Sequence, residues 1–142
     1  MFINPNFNIL ETTLRDGNYV VDFGFTSADT SNLAYFLEKA GLNMIEIGHG
    51  LGLGASRIYK SAASSDKEYI SDTKKKVTKA KIGMFAIPKI ATLDDIRMAA
   101  DLGLNFIRLG ANIEDIQLLD DFINLSRKLN LFTCTNFMKS NS

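Results

Sequence analysis

Short apolar runs rich in β-branched and aromatic residues alternate along this chain with longer segments of helical period. The runs at about 8–13, 43–47, 81–87, 105–109 and 131–136 predict strands, and the segments at about 29–40, 66–79, 92–102 and 113–129 predict helices. Strands alternating with helices are the pattern of βαβ units around a parallel sheet. In the first helix Leu33, Phe36, Leu37 and Ala40 fall at i, i+3, i+4 and i+7, a stripe expected to pack on the sheet, and Gly41 ends it. Thr92 with Asp95 reads as a capping box, Ile96, Ala99 and Ala100 as the inner face behind it, and Gly103 as the stop. Lys74, Lys75 and Lys76 close the second helix, where cations suit the dipole and the surface.

The segment Gly41–Gly48 is echoed by Gly103–Gly110. In each copy a glycine ends a helix, an asparagine turns the chain, a strand follows, and a glycine opens the next loop. The offset equals two units of about 31 residues, the size of a βαβ building block. The expected fold class is therefore α/β: parallel (β/α) units of a TIM barrel, about four and a half of them, with residues 1–142 as one incomplete barrel domain. A closed barrel takes roughly 250 residues. On that count the first and fifth strands are edges, and a homo-oligomer is expected to cover them. A compact five-stranded doubly wound domain is the alternative.

Composition narrows the function classes. Sixteen basic and sixteen acidic side chains cancel, so no bulk field would gather nucleic acid or an anionic membrane. With no run long enough to span a bilayer and no leader-like start, a cytoplasmic protein is expected. The single cysteine, Cys134, excludes an internal disulfide and reads as a buried thiol among strand formers.

In parallel βα architectures, reactive groups collect at the carboxyl ends of the strands. The first strand ends in Glu11-Thr12-Thr13-Leu14-Arg15-Asp16-Gly17-Asn18-Tyr19. The carboxylate of Asp16 is suited to a hard divalent cation, and Arg15 to negative charge developing on a carbonyl oxygen. The plain alternative is a loop-capping Asp and an Arg paired with Glu11 or Glu46. Glu46 alternates with Ile45 and Ile47, so it should point into the barrel and needs a partner there. Arg108 matches Glu46 in the internal echo and should also point inward, either as its salt-bridge partner or as a ligand for a substrate carboxylate. His49, the only histidine, stands between glycines as a loop residue or a group touching substrate. The run Gly48-His49-Gly50-Leu51-Gly52-Leu53-Gly54 fits neither a dinucleotide fingerprint nor a P-loop, and reads as a mobile loop over the barrel mouth.

Thr12-Thr13-Leu14-Arg15-Asp16-Gly17 resembles the signature of the DRE-TIM metallolyase superfamily, which includes hydroxymethylglutaryl-CoA lyase, isopropylmalate synthase and 4-hydroxy-2-oxovalerate aldolase. The stretch Ile45–Leu53, with Ser56 and Asp66-Lys67-Glu68-Tyr69-Ile70, looks most like the aldolase branch, in its amino-terminal half. The resemblance implies that Arg15 steadies the enolate of pyruvate and that Asp16 ligates Mn²⁺ or Mg²⁺. It also implies a base near Tyr19, where the aromatic-catabolic aldolases carry histidine, with His49 as the other candidate. Two further metal ligands of the family come from a His-x-His pair on a later strand, which this sequence lacks.

The expected activity is retro-aldol cleavage of a 4-hydroxy-2-oxoacid to pyruvate and an aldehyde by a longer parent, with this chain inactive alone. An acylating aldehyde dehydrogenase is the implied partner. Arg15, Glu46 and Arg108 are the expected substrate-binding residues. The alternatives are a Claisen-type acyl-CoA lyase or synthase on the same site, and a non-catalytic half-barrel that oligomerises.

Overall fold

Five parallel strands lie side by side in chain order, β1 (Leu10–Glu11), β2 (Met44–Ile47), β3 (Lys81–Ala86), β4 (Phe106–Asn112) and β5 (Phe132–Met138), in a computed structural model that describes residues 8–139. Each neighbouring pair is parallel, with Glu46 opposite Gly83 and Phe85 opposite Arg108. The helices α1 (Thr13–Asp16), α2 (Ser27–Lys39), α3 (Asp66–Lys76), α4 (Leu93–Asp101) and α5 (Leu119–Lys128) alternate with them. The sheet curls as half of an α/β barrel, as the alternation predicts. The core lies between sheet and helices, around Ile45, Ile47, Ile82, Met84, Ile107 and Leu109, all fully buried.

Three helices start on complete capping boxes: Thr26 with Asp29, Ser65 with Glu68, and Thr92 with Asp95. Each satisfies backbone donors that the first turn would otherwise leave bare. The internal echo has a backbone counterpart. The carbonyl of Asn43 accepts from the amide of Lys81 at 2.8 Å, and that of Asn105 from Phe132 at 3.1 Å, so each asparagine sets the start of the following strand.

Four expectations are corrected. The strand expected over 8–13 is only two residues long, because the chain winds into a helical turn at once. The Thr13 amide donates to Glu11 Oε1 at 2.6 Å, and the amides of Arg15 and Asp16 both return to the carbonyl of Thr12. Of the apolar stripe of α2 only Leu37 packs against the core, and the rest of it turns outward. Thr30, Ser31 and Ala34 are the buried residues of the helix, whereas Phe36 is 65% exposed. Rotation of α2 is fixed from α3, where Asp72 accepts from Ser27 Oγ at 2.7 Å and Lys76 binds Asn32, and small side chains allow the close approach. The glycine-rich run is not a free loop. Gly50, Gly52, Leu53 and Gly54 are buried, the Leu53 amide donates to the Phe85 carbonyl at 2.9 Å, and the Gly54 amide donates to Asp66 at 2.8 Å. Finally, Cys134 is half-buried, since the fifth strand has no neighbour on its far side among the described residues.

Candidate active site

The carboxyl ends of the strands gather one charged cluster. Glu46 projects from β2 into the barrel interior with its side chain wholly buried. Its Oε1 accepts from Arg15 Nε and from Arg108 Nη2, and its Oε2 from Arg108 Nε, each at 2.8 Å. One carboxylate thus fixes two guanidiniums, one from α1 and one from β4, and charge-assisted pairs of this kind are the strong ones. Burial without partners would be prohibitive for any of the three. Glu46 pushes the Arg108 guanidinium pKa upward.

Phe85 completes the platform. Its ring lies 5.3 Å from the Arg15 guanidinium carbon and 4.5 Å from that of Arg108, within cation–π range of both. Gly110 makes this geometry available, since a side chain there would collide with the Phe85 ring. Arg15 also donates through Nη1 to Asp16 Oδ1 at 2.8 Å and to the Gly50 carbonyl at 3.2 Å. Arg15 Nη2 and Arg108 Nη1 have no hydrogen-bond partner among the described residues.

Both arginines line a cavity of about 200 Å³ at the barrel mouth, together with Asp16, Tyr19, Asn136 and Met138. Arg15 and Asp16 therefore share one hollow. At about 30 Å³ per water-sized group, the space takes the half-dozen heavy atoms of a three-carbon oxoacid. Tyr19 stands at the rim, 44% exposed, with its ring against Gly50. Burial of its inner part raises the phenol pKa, against the lowering influence of Arg15, so the hydroxyl keeps its proton at neutral pH.

His49 is placed elsewhere. It is fully buried, its Nε2 donates to the Lys60 carbonyl at 2.9 Å, and its Nδ1 accepts from the Leu51 amide at 3.0 Å. The ring stacks on Phe23 at 4.3 Å. With both nitrogens engaged by backbone, it braces the loop after β2 and does not line the cavity. Buried Asn18 does similar work, donating to the Gly48 carbonyl at 3.1 Å.

Phe85 and Asn18 went unmarked in the sequence. The inward direction of Phe85 follows from its parity with Gly83, between the core residues Ile82, Met84 and Ala86. Asn18 carries no comparable signal, because its partner is a backbone carbonyl thirty positions away.

A divalent cation is not accommodated by these residues alone. Asp16 is a single carboxylate, 64% exposed in its side chain, and one of its oxygens is taken by Arg15. Among the described residues no three His, Cys, Asp or Glu side chains come together as a metal site. Hard cations take six or more oxygen ligands. No helix among the described residues is long and apolar enough to cross a membrane.

Comparison with known proteins agrees with this architecture. The 4-hydroxy-2-oxovalerate aldolase of Alkalilimnicola ehrlichii is 37% identical over 124 residues, which are 87% of this chain and 36% of that protein. The enzyme of the same name from Shewanella woodyi is 37% identical over 131 residues, 92% of this chain and 39% of the relative. An oxaloacetate decarboxylase of Mycobacterium tuberculosis is 32% identical over 132 residues, 93% and 39% of the respective chains. The chain thus spans under two fifths of the length of these three relatives. The HMGL-like family model covers residues 6–131, and the chain belongs to the HMGL-like family.

Proposed function

We propose that this chain forms the enolate-stabilising half of a carbon–carbon lyase that releases pyruvate from a 4-hydroxy-2-oxoacid. The observation that carries this reading is the Arg15–Glu46–Arg108 cluster, which sets two fixed guanidiniums on the wall of one small cavity. Cleavage of the bond between C3 and C4 leaves negative charge on the 2-oxo oxygen. A fixed guanidinium stabilises that charge without reorganising during the reaction. Arg15 takes the developing enolate oxygen and Arg108 the substrate carboxylate. Tyr19, protonated, donates a hydrogen bond to the 4-hydroxyl and orients it, and the proton this hydroxyl loses on cleavage passes to a base that lies with the remaining length of the whole protein.

Asp16 is the one carboxylate this chain brings toward Mn²⁺ or Mg²⁺. The further ligands and the turnover of the whole protein lie with the remaining length that the relatives possess. In this reading the chain alone is inactive and cytoplasmic, and an acylating aldehyde dehydrogenase receives the aldehyde.

A second reading rests on a specific observation. Retro-aldol cleavage needs an acceptor for the hydroxyl proton, yet Tyr19 holds its own proton and both nitrogens of His49 are occupied. Loss of carbon dioxide from a 2-oxo dicarboxylic acid needs no such base and passes through the same enolate. The likeness to an oxaloacetate decarboxylase accords with this.

The test is a chimera that joins this chain to the portion of the Alkalilimnicola ehrlichii aldolase following the matched segment, assayed with Mn²⁺ for pyruvate. Release from 4-hydroxy-2-oxovalerate supports the first reading, and release from oxaloacetate alone supports the second. Dependence on an acyl-CoA would turn the assignment to the Claisen class, and pyruvate from neither substrate would overturn both readings.

A further inference from the structure

Beside the arginine cavity lies a second hollow of about 240 Å³, on the same rim of the barrel. Ile87 and Met138 line both, so the two spaces meet across these side chains. The second hollow is bounded by Tyr59 from the loop after β2, by the turn after β3, and by Asn112 at the end of β4. Its outer wall is a built feature. Lys89 holds a left-handed backbone, φ +80°, that lysine rarely adopts, and its ammonium donates to Asp115 at 2.8 Å, tying the turn after β3 to the turn at Ile113–Leu118.

Apart from the Lys89–Asp115 pair, the side-chain polar groups facing this region are open to water. The Tyr59 hydroxyl and the Asn112 amide make no side-chain hydrogen bond among the described residues, and neither does the amide of Asn136 in the adjoining cavity. Asn112 immediately precedes a helical turn, yet its side chain makes no cap bond, leaving both ends of the amide for a ligand. Tyr59 is 55% exposed and Asn112 half-buried, so an alkyl group entering here would displace water from these donors and acceptors without replacing its bonds, whereas hydroxyl groups would replace them. A site that offers hydrogen bonds discriminates strongly against the analogue lacking the matching hydroxyls.

We propose that the hollow between Tyr59, Lys89 and Asn112 is a subsite for a hydroxylated distal arm, so that the preferred substrate is a 4-hydroxy-2-oxoacid bearing further hydroxyls beyond C4. This rests on the 2-oxoacid reading of the arginine cavity. The oxoacid head sits on Arg15 and Arg108, the chain passes between Ile87 and Met138, and the arm's hydroxyls bond to Tyr59 and Asn112. The aldehyde released is then a hydroxyaldehyde.

The experiment compares two six-carbon ligands, 4,5,6-trihydroxy-2-oxohexanoate and 4-hydroxy-2-oxohexanoate, titrated into the isotope-labelled chain and followed by the backbone and asparagine side-chain amide resonances. The hydroxylated acid is expected to shift the Asn112 amide and to half-saturate at a concentration at least fivefold lower, about one hydrogen bond's worth of preference. Asn112→Leu and Tyr59→Phe should each cut that ratio while the shifts around Arg15 persist. Tyr59→Phe keeps the ring, so it serves if Asn112→Leu fails to fold. Equal or tighter binding of the alkyl acid, binding of neither, or a ratio unchanged by both substitutions overturns the proposal. Because the readout is binding, it is independent of pyruvate release, whose absence from the chimera would overturn the lyase reading alone.

Discussion

Arg15 Nε donates to Glu46 Oε1 at 2.8 Å across thirty-one positions of chain, and the same oxygen also receives Arg108. Glu46 is fully buried, so its charge is what permits two guanidiniums to lie together beside Phe85. Glu46→Gln keeps the shape and removes the charge, leaving two nearly buried cations facing each other. Breaking a buried ion pair in this way costs about 3–5 kcal/mol. Urea unfolding of the variant should show a loss in that range, and a midpoint within error of the parent would mean the cluster is more hydrated than its burial implies.

Gly110 carries a second, purely steric prediction. A methyl group there would run into the Phe85 ring, which has little room to move beneath the two guanidiniums. Overpacking of this kind costs about 1–3 kcal/mol. Gly110→Ala should therefore lower the melting temperature and weaken oxoacid binding together. Gly41→Ala is the contrasting control, because no atom lies near its added Cβ and only backbone strain at φ +95° opposes it. Loss of binding in the control and not in Gly110→Ala would refute the idea that Phe85 props the site.

Much of this cluster is legible in the sequence, for reasons of period. Strand alternation turns Glu46 inward between Ile45 and Ile47, and the internal echo puts Arg108 at the matching place, so their salt bridge is one of the two outcomes the sequence leaves open. The fold is legible for the same reason, since a parallel sheet writes its strands as apolar runs. What periodicity cannot reach is contact with backbone. The two carbonyl and amide partners of His49 depend on how the loop after β2 folds back, and no side-chain pattern records them. The rotation of α2 was misleading because Leu33 and Phe36 look like a core stripe, while tertiary bonds from Ser27 and Asn32 to α3 turn the small face inward.

Asp66 supplies a pH-dependent prediction. Burial raises its pKa above the ordinary 3.8, against the lowering effect of the Gly54 amide. A raised carboxyl pKa favours the protonated form in the fold. The stability this contributes is fully present below the unfolded value and is lost as pH rises through the higher folded value. At neutral pH the folded chain therefore holds an ill-solvated carboxylate, and Asp66→Asn, which retains an acceptor for Gly54, should unfold at an equal or higher temperature than the parent at pH 7. That advantage should shrink as pH falls into the acid range. Asp66→Ala should instead cost about 1 kcal/mol at either pH, since the buried Gly54 amide loses its acceptor. Thermal scans at pH 7 and in acid separate the cases, and a strongly destabilised Asp66→Asn at pH 7 would contradict the argument.

The two arginines should separate in kinetics once the chain is joined to the rest of a lyase. Arg15 is held by Nε on Glu46 and by Nη1 on Asp16 and Gly50, and it keeps Nη2 for the cavity. A lysine has a single ammonium and cannot keep those bonds while reaching an enolate oxygen. If Arg15 meets charge that develops only during cleavage, Arg15→Lys in the chimera should lower kcat by about 10²–10³ with little change in KM, as removal of one preorganised donor does. Arg108 meets the carboxylate both before and during reaction, so Arg108→Lys should raise KM by about tenfold and leave kcat closer to the parent. The Glu46 anchor is shared, so the double substitution should be less than additive. A reversal of this split, with Arg15→Lys acting on KM and Arg108→Lys on kcat, would exchange the roles of the two residues without dissolving the cluster that holds them.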